Sequence, residues 1–251
     1  MIDTHAHLTD KAFDEDRGQV IARAKEAGIK KIVCVLCEFD ERSINIFKEL
    51  LKEEFIFGAV GVHPHDAKDY EKYKSILLEL LRLEKIVGLG EIGLDYHYLY
   101  SPKEIQQKVF ESQIELAKEK NLPIIVHSRE ASEDALSIIS NSRPKKAVMH
   151  CFSGDEKEAS TYLDMGFYIS FAGPLTFKNA TMPKETLKMI PDKRLLLETD
   201  CPYLAPQNLR GKRNEPSNIK YIYEEAASLR NTEKEILKKI IEENAAAMFG
   251  I

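Results

Sequence analysis

The sequence contains no tryptophan and only 4 cysteines in 251 residues. Scattered thiols in that number make no disulfide framework and fit a reducing compartment, so the expected location is cytoplasmic. No apolar run approaches the roughly 20 residues of a membrane span, and no membrane is expected among the partners. The strand-like pattern begins at Met1 itself, so no secretory leader is expected. No stretch rich in proline, glycine or serine divides the chain, and neither heptads nor short repeats are present. Positive charge is not in excess either: Lys plus Arg total 36 against 41 for Asp plus Glu, a formal charge of −5. That balance excludes a protein whose whole surface grips nucleic acid by charge, while leaving room for a local basic patch. With 43% apolar and 31% charged residues the chain is not disordered and can bury a sizeable core.

What is present is an alternation of element types. Lys31 to Cys37 is a continuous apolar run, the signature of a strand buried on both faces as in a helix-covered parallel sheet. Similar runs occur at Phe55 to Val62, Ile86 to Leu89, Leu122 to Val126, Ala147 to Met149, Tyr168 to Phe171 and Leu195 to Leu197, and Ile2 to His7 begins the series. Helical patterns fill the gaps. Asp40 is placed to cap a helix carrying Ile44, Phe47, Leu50 and Leu51. Ser101-Pro102-Lys103-Glu104 and the Thr232/Glu235 pair read as capping boxes, the second opening a last helix with Leu237, Ile240, Ile241, Ala245 and Met248 on one stripe. About eight strands, each followed by a helix, fit a (β/α)8 TIM barrel, whose usual length is about 250 residues. A doubly wound open sheet is the competing architecture. The expectation is a single domain over residues 1–251 with an extra C-terminal helix.

Parallel barrels keep their chemistry at the C-terminal ends of the strands. Here those ends carry His5 and His7, His63 and His65, Glu91, His127, His150 and Asp200, all metal-ligand types. His5 and His7 are two apart on an extended segment, so both rings point the same way and suit a chelate. Asp3 shares their face and is expected to orient a ring from behind. Glu91 has two oxygens and could bridge two metals. Alone, His127 or His150 reads as an ordinary core histidine; as a set with His5, His7, Glu91 and Asp200 they read as a metal site. Asp200 can ligate and also accept a proton from water. Cys34 and Cys37 lie three apart on a strand, facing opposite sides, and are read as core, as are Cys151 and Cys201. Glu198 shares the face of Asp200 and needs a partner that the sequence does not name.

His63 and His65 are expected at the rim, contacting a phosphate or shaping the outer shell around the rigid Pro64. Arg129 follows His127 and could reach the phosphate. Arg210, Lys212 and Arg213 lie after the last strand, where TIM barrels often bind phosphate. Tyr96, His97, Tyr98 and Tyr100 form an aromatic loop that could either stack on unpaired bases or pack as a lid.

The motifs resemble those of the TatD family of metal-dependent hydrolases, within the amidohydrolase superfamily. They are Ile2-Asp3-Thr4-His5-Ala6-His7, Gly61-Val62-His63-Pro64-His65, Gly90 to Tyr96, His127-Ser128-Arg129, His150 to Gly154, Glu198 to Pro206 and Arg210 to Pro216. The resemblance spans the whole chain. It implies a TIM barrel with two divalent cations, one held by His5, His7, Glu91 and Asp200 and the other by Glu91, His127 and His150, with Asp200 and Glu91 as the catalytic pair. Magnesium, manganese and zinc all occur in such sites; imidazole and carboxylate donors favour zinc or manganese. It further implies hydrolysis of phosphodiester bonds in DNA, as a deoxyribonuclease with 3′-to-5′ exonuclease activity on single-stranded or frayed ends. The alternative is a binuclear-metal hydrolase of another ester or amide bond. No obligate protein partner is evident.

Overall fold

The computed structural model describes residues 1–251. Its strands are β1 (Ile2–Ala6), β2 (Lys31–Leu36), β3 (Ile56–Val60), β4 (Ile86–Asp95), β5 (Ile124–Arg129), β6 (Ala147–Met149), β7 (Tyr168–Phe171) and β8 (Leu195–Leu197). They form one sheet in the order β1 to β8, with every neighbouring pair parallel. Strictly sequential order removes the doubly wound alternative, which requires the order to reverse. The barrel closes just beyond β8, where Ala6 bridges Cys201. The His7 amide donates to the Cys201 carbonyl at 2.8 Å and the Asp200 amide to the His5 carbonyl at 2.9 Å.

The outer layer comprises α1 (Arg17–Glu26), α2 (Glu41–Leu50), α3 (Tyr70–Leu80), α4 (Lys103–Lys120), α5 (Ser132–Ser142), α6 (Glu156–Asp164), α7 (Thr181–Met189), α8 (Ile219–Leu229) and α9 (Lys234–Phe249). α9 is the extra helix. It packs on β8 and β1, and its buried Asn244 donates to the Leu195 carbonyl at 2.7 Å. Strands and helices share a contiguous core of 69 buried residues. Truncating a fully buried ring such as Phe47 or Phe110 to alanine would cost about 3–5 kcal/mol. No helix is long and apolar enough to cross a membrane.

Asp40 caps α2 as expected, accepting from the Ser43 amide at 3.1 Å. The two capping boxes do not form. Pro102, not Ser101, precedes α4, because the Ser101 hydroxyl is taken by the β3–α3 connection: it donates to the His65 carbonyl at 2.8 Å and accepts from the Lys68 amide at 3.0 Å. Thr232 is likewise drawn away, its amide closing the turn after α8 on the Ala227 carbonyl.

Two strands outrun their apolar runs. β5 continues through His127 to Arg129, and β4 continues through Glu91 to Asp95. The extension of β4 includes a bulge against β5: Leu89 pairs with Ile124 but Ile92 with Val126, three steps against two. A bulge inserts one residue and re-aims the side chains around it. Glycine permits the close approach there. A Cβ on Gly93, whose φ is +142°, would lie 1.9 Å from the His127 carbonyl oxygen, and one on Gly90 would lie 2.6 Å from Ile125 Cβ.

Candidate metal centre

Glu91 therefore lies inside a strand rather than at its end, buried at the centre of the barrel mouth. Its two oxygens face different neighbours. Oε2 lies 3.3 Å from His5 Nε2 and 3.5 Å from His7 Nε2. Oε1 lies 2.7 Å from His127 Nδ1, 3.0 Å from His150 Nε2 and 3.6 Å from His63 Nε2. The alternation of β1 brings His5 and His7 to one side, their Nε2 atoms 3.1 Å apart. Asp200 joins them from the closing seam, with Oδ1 3.3 Å from His7 Nε2 and 3.7 Å from His5 Nε2. Asp200 adopts φ of +54°, the left-handed region, which carboxamide and carboxylate residues tolerate best after glycine.

Behind this set stand further carboxylates. Glu198, the acid without a named partner, accepts from His150 Nδ1 at 3.0 Å, the Cys151 amide at 2.6 Å and the Ser170 hydroxyl at 2.7 Å. Asp95, to which the sequence assigned no role, takes His127 Nε2 at 3.1 Å and His65 Nε2 at 3.0 Å on one oxygen. Each carboxylate orients its ring from behind; with a cation bound it would hold the proton on that nitrogen and leave the other nitrogen, which faces Glu91, free to ligate. Asp3 does not play this part. It accepts from the Thr199 amide at 2.9 Å and the Thr199 hydroxyl at 2.6 Å, bracing the residue before Asp200, while His5 Nδ1 is buried with no hydrogen-bond partner. Buried Asn214 holds the same residue from the other side, donating to the Thr199 carbonyl at 3.0 Å.

The electrostatics follow from burial and crowding. Burial acts to raise the pKa of Glu91, but the imidazoles around it, His150 first, hold it well below the usual range. Asp200 is lowered against burial by His7 and His150. His7 is disfavoured by burial yet pushed up to about 10 by Asp200 and Glu91. Burial dominates at His63, lowered to about 4, and at Asp3, raised to about 7. Two carboxylates kept ionised among converging imidazoles form a donor set that suits divalent cations of the zinc or manganese kind.

The remaining residues singled out from the sequence fall into two groups. His63 and His65 both line the cavity with Glu91 and His127, and His63 also accepts the His65 amide through Nδ1 at 3.2 Å. Cys37, read as core, faces this cavity as well, within 4.8 Å of ligating atoms of His7 and Glu91; Cys34 and Cys201 are fully buried and Cys151 is half-buried. The three arginines do not line the cavity, whose volume is about 260 Å³. Arg213 is committed to both Asp16 oxygens, at 2.7 and 2.8 Å, and to the Ala12 carbonyl. Arg210 lies over Phe177 and Arg129 over Tyr98. The residues missed from sequence are Asp95 and Cys37; Asp95 stood inside the Gly90 to Tyr96 motif, and its place in that motif was the available signal.

A parallel eight-stranded barrel with imidazoles and carboxylates gathered at its strand mouths defines a metal-dependent hydrolase. Comparison with known proteins places it more narrowly: the family model described as TatD related DNase matches residues 2–250, and the chain belongs to the TatD family. The Bacillus subtilis (strain 168) protein named uncharacterized metal-dependent hydrolase YabD is 48% identical over 100% of this chain and 99% of its own length. The 3′-5′ ssDNA/RNA exonuclease TatD of Edwardsiella piscicida is 35% identical, covering 100% of both. Among solved structures, the TatD homologue YJJV from Escherichia coli K12 superposes with a TM-score of 0.90 at 28% identity, over 100% of this chain and 98% of that one.

Proposed function

We propose that the whole chain acts as one unit, a hydrolase of phosphodiester bonds that removes nucleotides from the 3′ end of single-stranded or frayed DNA. The observation that carries this reading is the division of the Glu91 oxygens between two imidazole sets, one completed by Asp200. In this reading His5, His7, Glu91 and Asp200 hold one divalent cation, and Glu91, His127 and His150 hold another. When bound, the cations supply Lewis-acid charge that polarises the phosphodiester and offsets the charge gained in the transition state. Asp200, kept ionised by its neighbours, orients the attacking water and accepts its proton. Glu91 fixes the two ligand sets relative to each other. Asp95 and Glu198 keep His127 and His150 in the tautomers that present a lone pair inward. His63, on the same wall with its Nδ1 taken by the His65 amide, donates to a phosphate oxygen through Nε2, and His65, held by Asp95, shapes the wall beside it. The relative named as a 3′-5′ ssDNA/RNA exonuclease supports both the bond and the polarity.

The test combines metal analysis with end-labelled oligonucleotides. Metal-loaded protein is expected to shorten single-stranded DNA from its 3′ end, chelator to stop it, and Asp200→Asn to rule out a contaminating nuclease. Labelled strands that survive intact, while carboxyl ester or amide substrates are cleaved, would overturn the phosphodiester reading.

A further inference from the structure

The cavity is lined mainly by imidazoles and carboxylates, with the Cys37 thiol and Tyr203 its only other side chains, so its floor suits a phosphodiester better than a base. The apolar surface lies above it. Nine large apolar or aromatic side chains are exposed on the whole molecule, and five of them sit on two loops at this mouth: Tyr98, Leu99 and Tyr100 after β4, and Tyr203 and Leu204 after β8. Tyr98, Tyr100 and Tyr203, exposed by 47%, 58% and 51%, are the only exposed tyrosine or phenylalanine rings. Water-facing tyrosines confined to one rim point to a ligand with flat faces.

Both loops are built onto the imidazole cluster. The Tyr98 and Tyr100 rings are parallel to within 2°, with centroids 5.5 Å apart, and both meet His65 edge-on at 90°. Arg129, which makes no ion pair, lies 4.9 Å from the Tyr98 centroid and adds a guanidinium plane to the stack. Asp95 ties this platform to the floor: its Oδ1 accepts from the His97 and Tyr98 amides, each at 3.0 Å, while its Oδ2 holds His65 and His127. Across the mouth Tyr203 meets His7 edge-on at 5.9 Å, and its hydroxyl donates to Asp10 at 2.8 Å.

We infer that these tyrosines form a two-sided base clamp: Tyr98 and Tyr100, with Arg129, stack one unpaired base and Tyr203 another, delivering the phosphodiester between them to Glu91 and Asp200. The inference rests on the polynucleotide reading above and adds to it the side chains that grip the bases. Aromatic stacking tolerates every base but cannot engage one that is paired inside a helix.

The test measures equilibrium binding of the metal-loaded full-length protein to two phosphorothioate-linked strands, which resist cleavage. One is oligothymidylate and the other has abasic residues at its last three positions. The base-bearing strand is expected to bind about ten- to a hundredfold more tightly. Tyr98→Ala with Tyr100→Ala, and separately Tyr203→Ala, should each shrink that gap, and phenylalanine at the same positions should restore it. Equal affinity for the two strands, or a full gap in both alanine variants, would overturn the clamp and give the rings to another occupant such as a protein surface. Base-dependent binding without cleavage of ordinary DNA would uphold the clamp and sink the hydrolytic reading. Cleavage without base dependence would do the reverse.

Discussion

On the β4–β6 side of Glu91 each imidazole has a carboxylate behind it, Asp95 for His127 and Glu198 for His150. On the β1 side none does: His5 Nδ1 is unpartnered, and the nearby acid, Asp3, holds backbone and hydroxyl groups of Thr199. One half is braced by charge through hydrogen bonds. The other is braced by the closing seam of the barrel, where the His5 carbonyl receives the Asp200 amide and the Cys201 carbonyl receives the His7 amide. Side-chain orientation can come from other side chains or from main-chain pairing, and this mouth uses one method on each side.

Substitutions separate the two methods. Glu91→Gln should have the largest effect, because one residue faces both halves: bound metal should fall on both sides and turnover to background, read by elemental analysis and assay. Retention of a full metal complement would break the symmetry claimed for Glu91. Asp200→Asn should lower kcat by about 100- to 10,000-fold, the range for losing a proton acceptor, with a much smaller change in KM. A rise in KM alone would make Asp200 a binding residue. Glu198→Gln and Asp95→Asn should each weaken metal affinity or activity by about 10- to 100-fold, as loss of a ring-orienting acid does. Titration of apoprotein with zinc tests this, and unchanged affinity would mean the β4–β6 bracing is passive. Asp3→Asn should be mildest. It keeps the shape of the Thr199 contacts, and we expect a loss of about 1 kcal/mol in urea unfolding with metal content unchanged. Loss of metal there would show that Asp3 acts on His5 after all.

The barrel was legible because each strand is a short, continuous apolar run that stops at a polar residue, and because the helices between carry their own spacing. The same stops exposed His5, His7, His127, His150 and Asp200. What stayed hidden depends on neighbours distant in sequence. Glu198 meets His150 and Ser170 only through the adjacency of β6, β7 and β8. Asp95 reaches His127 only because a bulge carries β4 beyond its apolar run. Ser101 and Thr232 carried plausible capping patterns, but tertiary partners for the first and a preceding turn for the second took those groups. The arginines after the last strand looked like phosphate ligands in sequence; Asp16, far away in the chain, claims Arg213.

The closing seam has a consequence for the order of synthesis. In a growing chain His5 and His7 are made about 190 residues before Asp200. Because β1 and the segment after β8 must meet before these groups share a site, an unfinished chain cannot assemble that half of the mouth. A chain that stops short of Asp200 therefore lacks this half of the mouth, however well its earlier strands pair.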